Sequence, residues 1–130
     1  FRAEGGAPVS HTVDGDGKAG PTPVESLLIA LASCMAADVV DIGTKMRLPI
    51  ASLAVHATGM RTPEPPRRYL SAHLRFTVGG VVEGDAPKLK RALEMSKEKY
   101  CSVMHTLRRD MVVTTELVRL DGPAAGEQAT

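Results

Sequence analysis

The chain has 130 residues, enough for one domain to bury a hydrophobic core without disulfides. Its 16 lysines and arginines nearly balance its 15 aspartates and glutamates, so charge gives no basis for binding nucleic acid or an anionic membrane. Aromatic residues are 3% of the chain, too few to stack bases, and no apolar run approaches the roughly 20 residues that span a bilayer. We expect one cytoplasmic domain over 1–130 with a frayed tail at about 121–130. We also expect no signal peptide, and the start at Phe1 suggests an incomplete N-terminal strand.

The opening stretch, FRAEGGAPVSHTVDGDGKAGP, predicts an edge hairpin followed by a flexible loop. A stronger signal begins at Thr22, which can cap a helix, with Pro23 at the first helical position and Glu25 completing a capping box. Apolar residues then recur at helical spacing: Val24, Leu28, Leu31, Met35, Val39, Ile42 and Met46. The pattern predicts a long helix at about 22–47 that ends before Pro49.

Two strands are predicted next, at 50–61 and 69–80, joined by the proline-rich segment TPEPPRR. Alternate residues of the second strand are apolar, which is typical of an antiparallel strand with one covered face: Leu70, Ala72, Leu74, Phe76 and Val78. A helix capped by Asp85, a short helical turn and a final strand follow, at about 86–100, about 102–109 and 111–120. This order predicts an α+β domain with an antiparallel sheet.

Cys34 lies in the middle of the long helix, at the edge of its apolar face. It is either a small hydrophobe of the core or a reactive thiol at a pocket or partner chain. The helix N-terminus is distant, and Asp38, one turn later, disfavours a thiolate. A reactive Cys34 therefore needs a cation from elsewhere. Arginine suits this role because it stays charged and can pair with a carboxylate, and the candidates are Arg2, Arg67 and Arg68.

Cys101 follows the charged end of the second helix. If Ser102 caps the short turn, Cys101 lies beside a helix N-terminus with Lys97 and Lys99 nearby, and both features lower its pKa. The alternative is a buried cysteine at a corner between helices. In a cytoplasmic protein, a bond between Cys101 and Cys34 is more typical of catalysis than of structure. The sequence leaves open whether the two cysteines meet.

Other residue patterns give less support for chemistry. The capping box explains Glu25 without catalysis, although the start of the helix can also form the floor of a pocket. The four histidines are scattered and form no HxxxH, HExxH or CxxC pattern, and no glycine-rich phosphate loop is present. We therefore expect neither a metal nor an organic cofactor.

Four segments together resemble the OsmC/Ohr family (osmotically induced protein C and organic hydroperoxide resistance protein). They are GPTPVESLLIALASCMAADVV, KMRLP, EPPRRYLSAHLRFTVGG and LKRALEMSKEKYCSVMHTL. The likeness runs from about Gly20 to the final strand, some four-fifths of the chain. It implies an intertwined α+β homodimer in which the long cysteine-bearing helix is central and an active site lies at each end of the interface.

The resemblance also implies thiol-dependent reduction of organic hydroperoxides. In that scheme Cys34 attacks the peroxide and becomes a sulfenic acid, and Cys101 condenses with it to a disulfide. An external dithiol, with a lipoylated protein as one candidate, then reduces the pair. No nucleic acid or membrane takes part.

Two positions differ from the hydroperoxide-resistance members, which carry a catalytic arginine in the N-terminal hairpin and a glutamate near the start of the long helix. Arg2 is the one arginine in the opening hairpin, and Glu25 stands one residue later relative to the cysteine. Asp38 and EKYCSV resemble a less characterised OsmC-like branch. The alternatives to a peroxidase are a non-enzymatic module that binds a small ligand, with the cysteines as packing, and a redox-responsive partner of another protein.

Overall fold

The computed structural model describes residues 2–4 and 10–120, with side chains from residue 10 onward, so the predicted tail lies outside the described residues. A 3₁₀ turn (Glu83–Asp85) precedes the helix at Ala86–Met95, and a π turn (Ser96–Tyr100) follows that helix. In chain order the elements are β1 (Arg2–Glu4), β2 (Ser10–Thr12), α1 (Pro23–Lys45), β3 (Ser52–Arg61), β4 (Tyr69–Gly79), α2 (Ala86–Met95), α3 (Ser102–Thr106) and β5 (Val112–Leu120). The α+β class is confirmed.

Helix α1 begins where the capping box predicts. The Thr22 hydroxyl accepts a hydrogen bond from the Glu25 backbone N–H at 3.2 Å, and the Glu25 carboxylate accepts one from the Thr22 N–H at 3.0 Å. These bonds satisfy two donors that the helix leaves unpaired. One face is fully buried in the core at Leu31, Met35 and Val39. The apolar stripe therefore packs as the sequence predicts.

Helix α1 is also more apolar than we expect from the sequence. It has 23 residues, and an 18-residue window within it reaches a mean hydropathy of 1.8, so by length and composition it could cross a bilayer. The expectation that no apolar segment approaches that length was wrong. Length and composition are weak evidence for a membrane span, because the central helix of a globular core meets the same criteria. In this fold α1 packs against β3, β4, α2 and α3.

The larger sheet has the strand order β3-β4-β5 and is mixed. Strands β3 and β4 are antiparallel, with Ser52 opposite Gly79, whereas β5 runs parallel to β4, with Gly79 opposite Leu120. The prediction of an antiparallel sheet is thus correct for one pair and wrong for the other. A parallel pair needs a crossover of a dozen or more residues, and α2, the π turn and α3 supply it. Strands β1 and β2 form the predicted antiparallel hairpin.

A bulge at the start of β4 changes which residues face the core. Met60 pairs with Ser71 and Arg61 with Tyr69, so Leu70 is an extra residue without a partner on β3. Tyr69 is consequently buried and Leu70 is 42% exposed, the reverse of the prediction. Beyond the bulge the predicted face is buried, at Ala72, Leu74, Phe76 and Val78.

Helix α2 lies against α1 and buries Leu89, Ala92 and Leu93. Asp85 occupies the N-cap position but makes no side-chain capping bond, so its predicted capping role was wrong. The π turn extends the helix to Tyr100 and brings the chain to Cys101. This junction of α2 and α3 against the middle of α1 is where the two cysteines meet.

Candidate functional site

The structure brings the two cysteines together. The Sγ atoms of Cys34 and Cys101 and a carboxylate oxygen of Asp38 all lie within 4.8 Å of one another. Cys34 and Asp38 are four residues apart on α1 and so share one helical face. Cys101 reaches them from the junction of the π turn and α3. The question that the sequence left open is answered: the cysteines are neighbours, and both are free thiols.

Backbone hydrogen bonds hold Cys101 in place. Its N–H donates to the Ser96 carbonyl at 2.8 Å, which closes the π turn, and such turns are frequent at functional sites. Cys101 itself occupies the N-cap position of α3, where its Sγ accepts a hydrogen bond from the Met104 N–H at 3.3 Å. Ser102, the predicted cap, is instead the first helical residue.

The ionisation of Cys101 differs from the prediction. Cys101 is fully buried, and this burial is the main cause that raises its pKa to about 11. A hydrogen bond from Met104 opposes the rise, whereas Cys34 and Asp38 add to it because they disfavour a further negative charge. The predicted lowering by Lys97 and Lys99 was wrong: neither contributes, and the Lys99 ammonium lies over the Tyr100 ring at 5.3 Å.

A buried serine orients the carboxylate of the cluster. The Ser96 hydroxyl donates to Asp38 Oδ2 at 2.8 Å, and Ser96 is the one fully buried polar side chain in the described part of the chain. Sequence reasoning gave Ser96 no role. The available signal was a polar residue on the otherwise apolar face of α2, in line with Leu89 and Leu93. A polar group at such a position needs a hydrogen-bond partner, and Asp38 is that partner.

Arg67 and Arg68 lie near the N-terminal end of α1. They line a small cavity of about 180 Å³ with Val24 and Leu27, and Arg68 Nη2 is 3.6 Å from a carboxylate oxygen of Asp110. Leu27 precedes Cys34 by seven residues, which is about 10 Å along a helix. Within one chain, the described contacts of Arg67 and Arg68 are therefore with residues that lie far from Cys34.

Arg2 and Glu25 are the other predicted site residues. Arg2 pairs with Thr12 through the backbone of the hairpin, and its side chain lies outside the described residues. Glu25 serves as the helix cap, and the Thr22 backbone N–H, followed by the Thr22 hydroxyl, lowers its pKa. Glu25 also lines a cavity of about 430 Å³ between α1 and β3. Both roles left open for Glu25 are therefore present, while the catalytic roles of Arg2 and Glu25 stay predictions.

The cluster also contains atoms of the kinds that bind metals. Two sulfurs and one carboxylate oxygen are one ligand short of the four of a closed structural zinc site. We therefore assign no metal to it. Asp38 is the member of the cluster that lines a neighbouring groove of about 470 Å³, together with Asp41, Ile42, Lys45, Met46, Met95 and Tyr100.

The fold and the site together define a class of protein: a small α+β domain in which a half-buried cysteine of the central helix faces a second, buried cysteine. The profile of the OsmC-like protein family matches residues 15–116, and the chain belongs to this family. The resemblance drawn from the sequence is thus confirmed.

Individual relatives agree with this assignment. Protein YhfA of Escherichia coli K12 is 37% identical over 107 residues, which cover 80% of this chain and 79% of YhfA. The crystal structure of an OsmC-like protein from Mycoplasma pneumoniae has a TM-score of 0.72 at 19% identity, over 88% of this chain and 84% of that one. The organic hydroperoxide resistance protein OhrB of Bacillus subtilis has a TM-score of 0.56 at 16% identity, over 79% and 74%. At these identities the two structures show the fold alone.

Proposed function

We propose that this protein is a thiol-dependent peroxidase that reduces organic hydroperoxides in the cytoplasm. The observation that carries the proposal is the proximity of the Cys34 and Cys101 sulfurs, which lie within 4.8 Å of each other. A disulfide requires two cysteines whose side chains can approach without a large backbone movement. The name of the hydroperoxide resistance protein OhrB, which shares the fold, gives secondary support.

Exposure distinguishes the roles of the two cysteines. Cys34 is half-buried, so a substrate can reach its sulfur, whereas Cys101 is fully buried and its raised pKa keeps it protonated. We therefore assign Cys34 as the nucleophile. Its thiolate attacks the hydroperoxide, one oxygen is transferred to sulfur, and the alcohol leaves after taking up a proton.

Cys101 resolves the intermediate. Its sulfur attacks the sulfenic acid of Cys34, the disulfide forms and water leaves. An external dithiol, such as the dihydrolipoyl group of a lipoylated protein, then reduces the disulfide by exchange. Exposed apolar side chains on α1, Leu27 and Ile29, favour an organic peroxide over hydrogen peroxide as the substrate.

The proposal includes a homodimer. On α1, Leu27, Ile29 and Val40 are 40%, 53% and 42% exposed, so the helix presents apolar side chains that a second copy would cover. The second copy also offers a source for the cation that a thiolate at Cys34 requires. We propose that Arg68, its neighbour Arg67, or Arg2 stabilises the thiolate and that Glu25 orients the arginine.

One observation favours a second candidate function. Full burial and a raised pKa are also typical of an inert packing cysteine, which Cys101 would be in a non-enzymatic ligand-binding module. The cavity beside Glu25, about 430 Å³ in volume, is within the usual range for small ligands. In that case neither cysteine would react with peroxide, and the cavity would be the functional site.

Turnover measurements separate these functions. Cumene hydroperoxide is supplied with a dithiol reductant, and its consumption is followed for the wild type and for Cys34→Ser and Cys101→Ser. Cys34→Ser should abolish consumption, while Cys101→Ser should allow sulfenic and then sulfinic acid to accumulate on Cys34. Equal consumption by the wild type and Cys34→Ser would contradict the proposal, and first oxidation at Cys101 would reverse the assigned roles.

A second experiment identifies the arginine. Arg2→Ala, Arg67→Ala and Arg68→Ala are compared for the rate at which Cys34 is alkylated at pH 7. Loss of the arginine that stabilises the thiolate should slow alkylation, because the thiolate is the reacting species. If none of the three slows it, the arginine assignment is wrong.

A further inference from the structure

We propose that Asp38 is the general base of the resolving step, accepting the proton of the Cys101 thiol as its sulfur attacks the Cys34 sulfenic acid. This inference rests on the proposed peroxidase function and adds a residue to it. Neither the sequence analysis nor the family resemblance gave Asp38 a catalytic role.

The geometry places Asp38 beside both reacting groups. A carboxylate oxygen of Asp38 lies within 4.8 Å of both sulfurs. Since Asp38 follows Cys34 by one helical turn, the same face of α1 presents both the sulfenic acid and the base. The Ser96 hydroxyl donates to Oδ2 at 2.8 Å and so holds the carboxylate in this position.

The chemistry of the resolving step creates the need for a base. Thiol–disulfide chemistry proceeds through the thiolate, and burial keeps Cys101 protonated. With the pKa of Cys101 raised to about 11, only a very small fraction of this thiol is ionised at pH 7. A base that removes the proton during the attack avoids this small population. Of the groups that influence Cys101, Cys34 is the electrophile in this step, so Asp38 is the remaining acceptor.

His105 is the other candidate base near Cys101. It is four residues further along α3, and its backbone N–H donates to the Cys101 carbonyl at 3.1 Å. Its side chain, however, is exposed and does not influence the ionisation of Cys101. Asp38 is therefore the acceptor that the structure favours.

The step balances without an added oxidant or reductant. The S–S bond forms as the S–O bond of the sulfenic acid breaks, and the Cys101 proton moves to Asp38. Asp38 then gives that proton to the departing hydroxide, which leaves as water, and the carboxylate is regenerated. Asp38 itself lines the groove of about 470 Å³, so water formed beside its carboxylate can enter that groove.

The same carboxylate protects Cys101 before the reaction. Its negative charge helps to raise the Cys101 pKa, so the resting thiol is a poor nucleophile toward peroxide. Cys101 reacts only once the Cys34 sulfenic acid is in place to accept the attack. The order of the two oxidations, first Cys34 and then Cys101, follows from this arrangement.

The test measures resolution separately from the first oxidation. Reduced protein is mixed with one equivalent of cumene hydroperoxide and quenched over time with dimedone, which captures sulfenic acid, and the products are quantified by mass spectrometry. Asp38→Asn should still oxidise Cys34 but should form the disulfide about 100-fold more slowly, the lower end of a general base's contribution. The dimedone adduct of Cys34 should accumulate accordingly. Asp41→Asn, an exposed aspartate on the same helix and groove, should behave as the wild type.

Two further variants separate a base from a merely structural role. Asp38→Ala leaves space at the carboxylate position, so added formate should restore part of the rate if Asp38 supplies a base. Ser96→Ala keeps the carboxylate, removes its hydrogen bond and should give an intermediate rate. It also serves as the test if Asp38→Asn fails to fold.

The outcomes are distinguishable. Disulfide formation at the wild-type rate in Asp38→Asn would overturn the assignment of Asp38 and leave the peroxidase intact. If Asp38→Asn fails to fold, a wild-type rate in Ser96→Ala would overturn the assignment. Slow resolution that formate does not restore would also overturn it, since Asp38 would then be structural. If wild-type Cys34 forms neither sulfenic acid nor disulfide, the proposed function fails, and this inference fails with it.

Discussion

The ionisation of Cys101 is the property of the site that a single substitution should change most clearly. Its pKa is about 11, against an ordinary 9.0, a difference of about 3 kcal/mol between protonation states. Burial is the largest cause, and the hydrogen bond and charge of Cys34 add to it. Cys34→Ala removes the contributions of Cys34 but retains the burial. We therefore expect the pKa of Cys101 to fall while staying above 9.0.

Carbon-13 NMR can measure this directly, because the chain has two cysteines and hence two labelled Cβ signals. The reduced protein is titrated from neutral to strongly alkaline pH, and Cys34→Ala assigns the Cys101 signal. In the wild type its midpoint should be near 11, and Asp38→Asn should lower it, though less than removal of Cys34. A wild-type midpoint at or below 9.0 would refute the reasoning, as would a rise in Cys34→Ala.

Three further predictions concern stability and assembly. Thr22→Ala should cost about 1 kcal/mol in the free energy of unfolding, measured by urea denaturation, because the capping box is lost; no change would mean that α1 does not need this cap. Ile29→Glu should convert the proposed dimer to a folded monomer in light scattering, since the side chain is 53% exposed in a single chain; a dimer that persists in this variant would place the interface elsewhere. The pKa of Cys101 is higher in the folded protein than in the unfolded chain, so the folded state binds the Cys101 proton more tightly. The stability that this proton contributes is fully present below pH 9 and is lost as the pH rises toward 11. The reduced wild type should therefore lose stability over that range more steeply than Cys101→Ala, and equal slopes would contradict the prediction.

Much of the fold could be predicted because its signals are local. The start of α1 follows from Thr22 and Glu25, whose capping bonds depend only on neighbouring residues. The direction of β5 was mispredicted because it depends on the path of a long crossover, which no local pattern encodes. Leu70 was placed on the wrong face because a single bulge reverses the alternation.

The site was harder to predict than the fold. Lysines next to Cys101 in the sequence suggested a lowered pKa, but its three-dimensional surroundings are apolar and anionic and raise it instead. Ser96 and Asp38 are 58 residues apart in the chain, so their hydrogen bond became visible only once α1 and α2 were packed together. The cation that Cys34 requires involves a second chain in our proposal, and a single sequence cannot show such a contact.

In the proposed function, Cys34 and Cys101 form a catalytic pair within one chain. The most direct measurement is to count free thiols and record the intact mass, without reductant, before and after one equivalent of cumene hydroperoxide. We expect rapid loss of both thiols, a mass lower by two hydrogens and no covalent crosslink between chains. Two thiols that persist, or a disulfide that joins two chains, would contradict it.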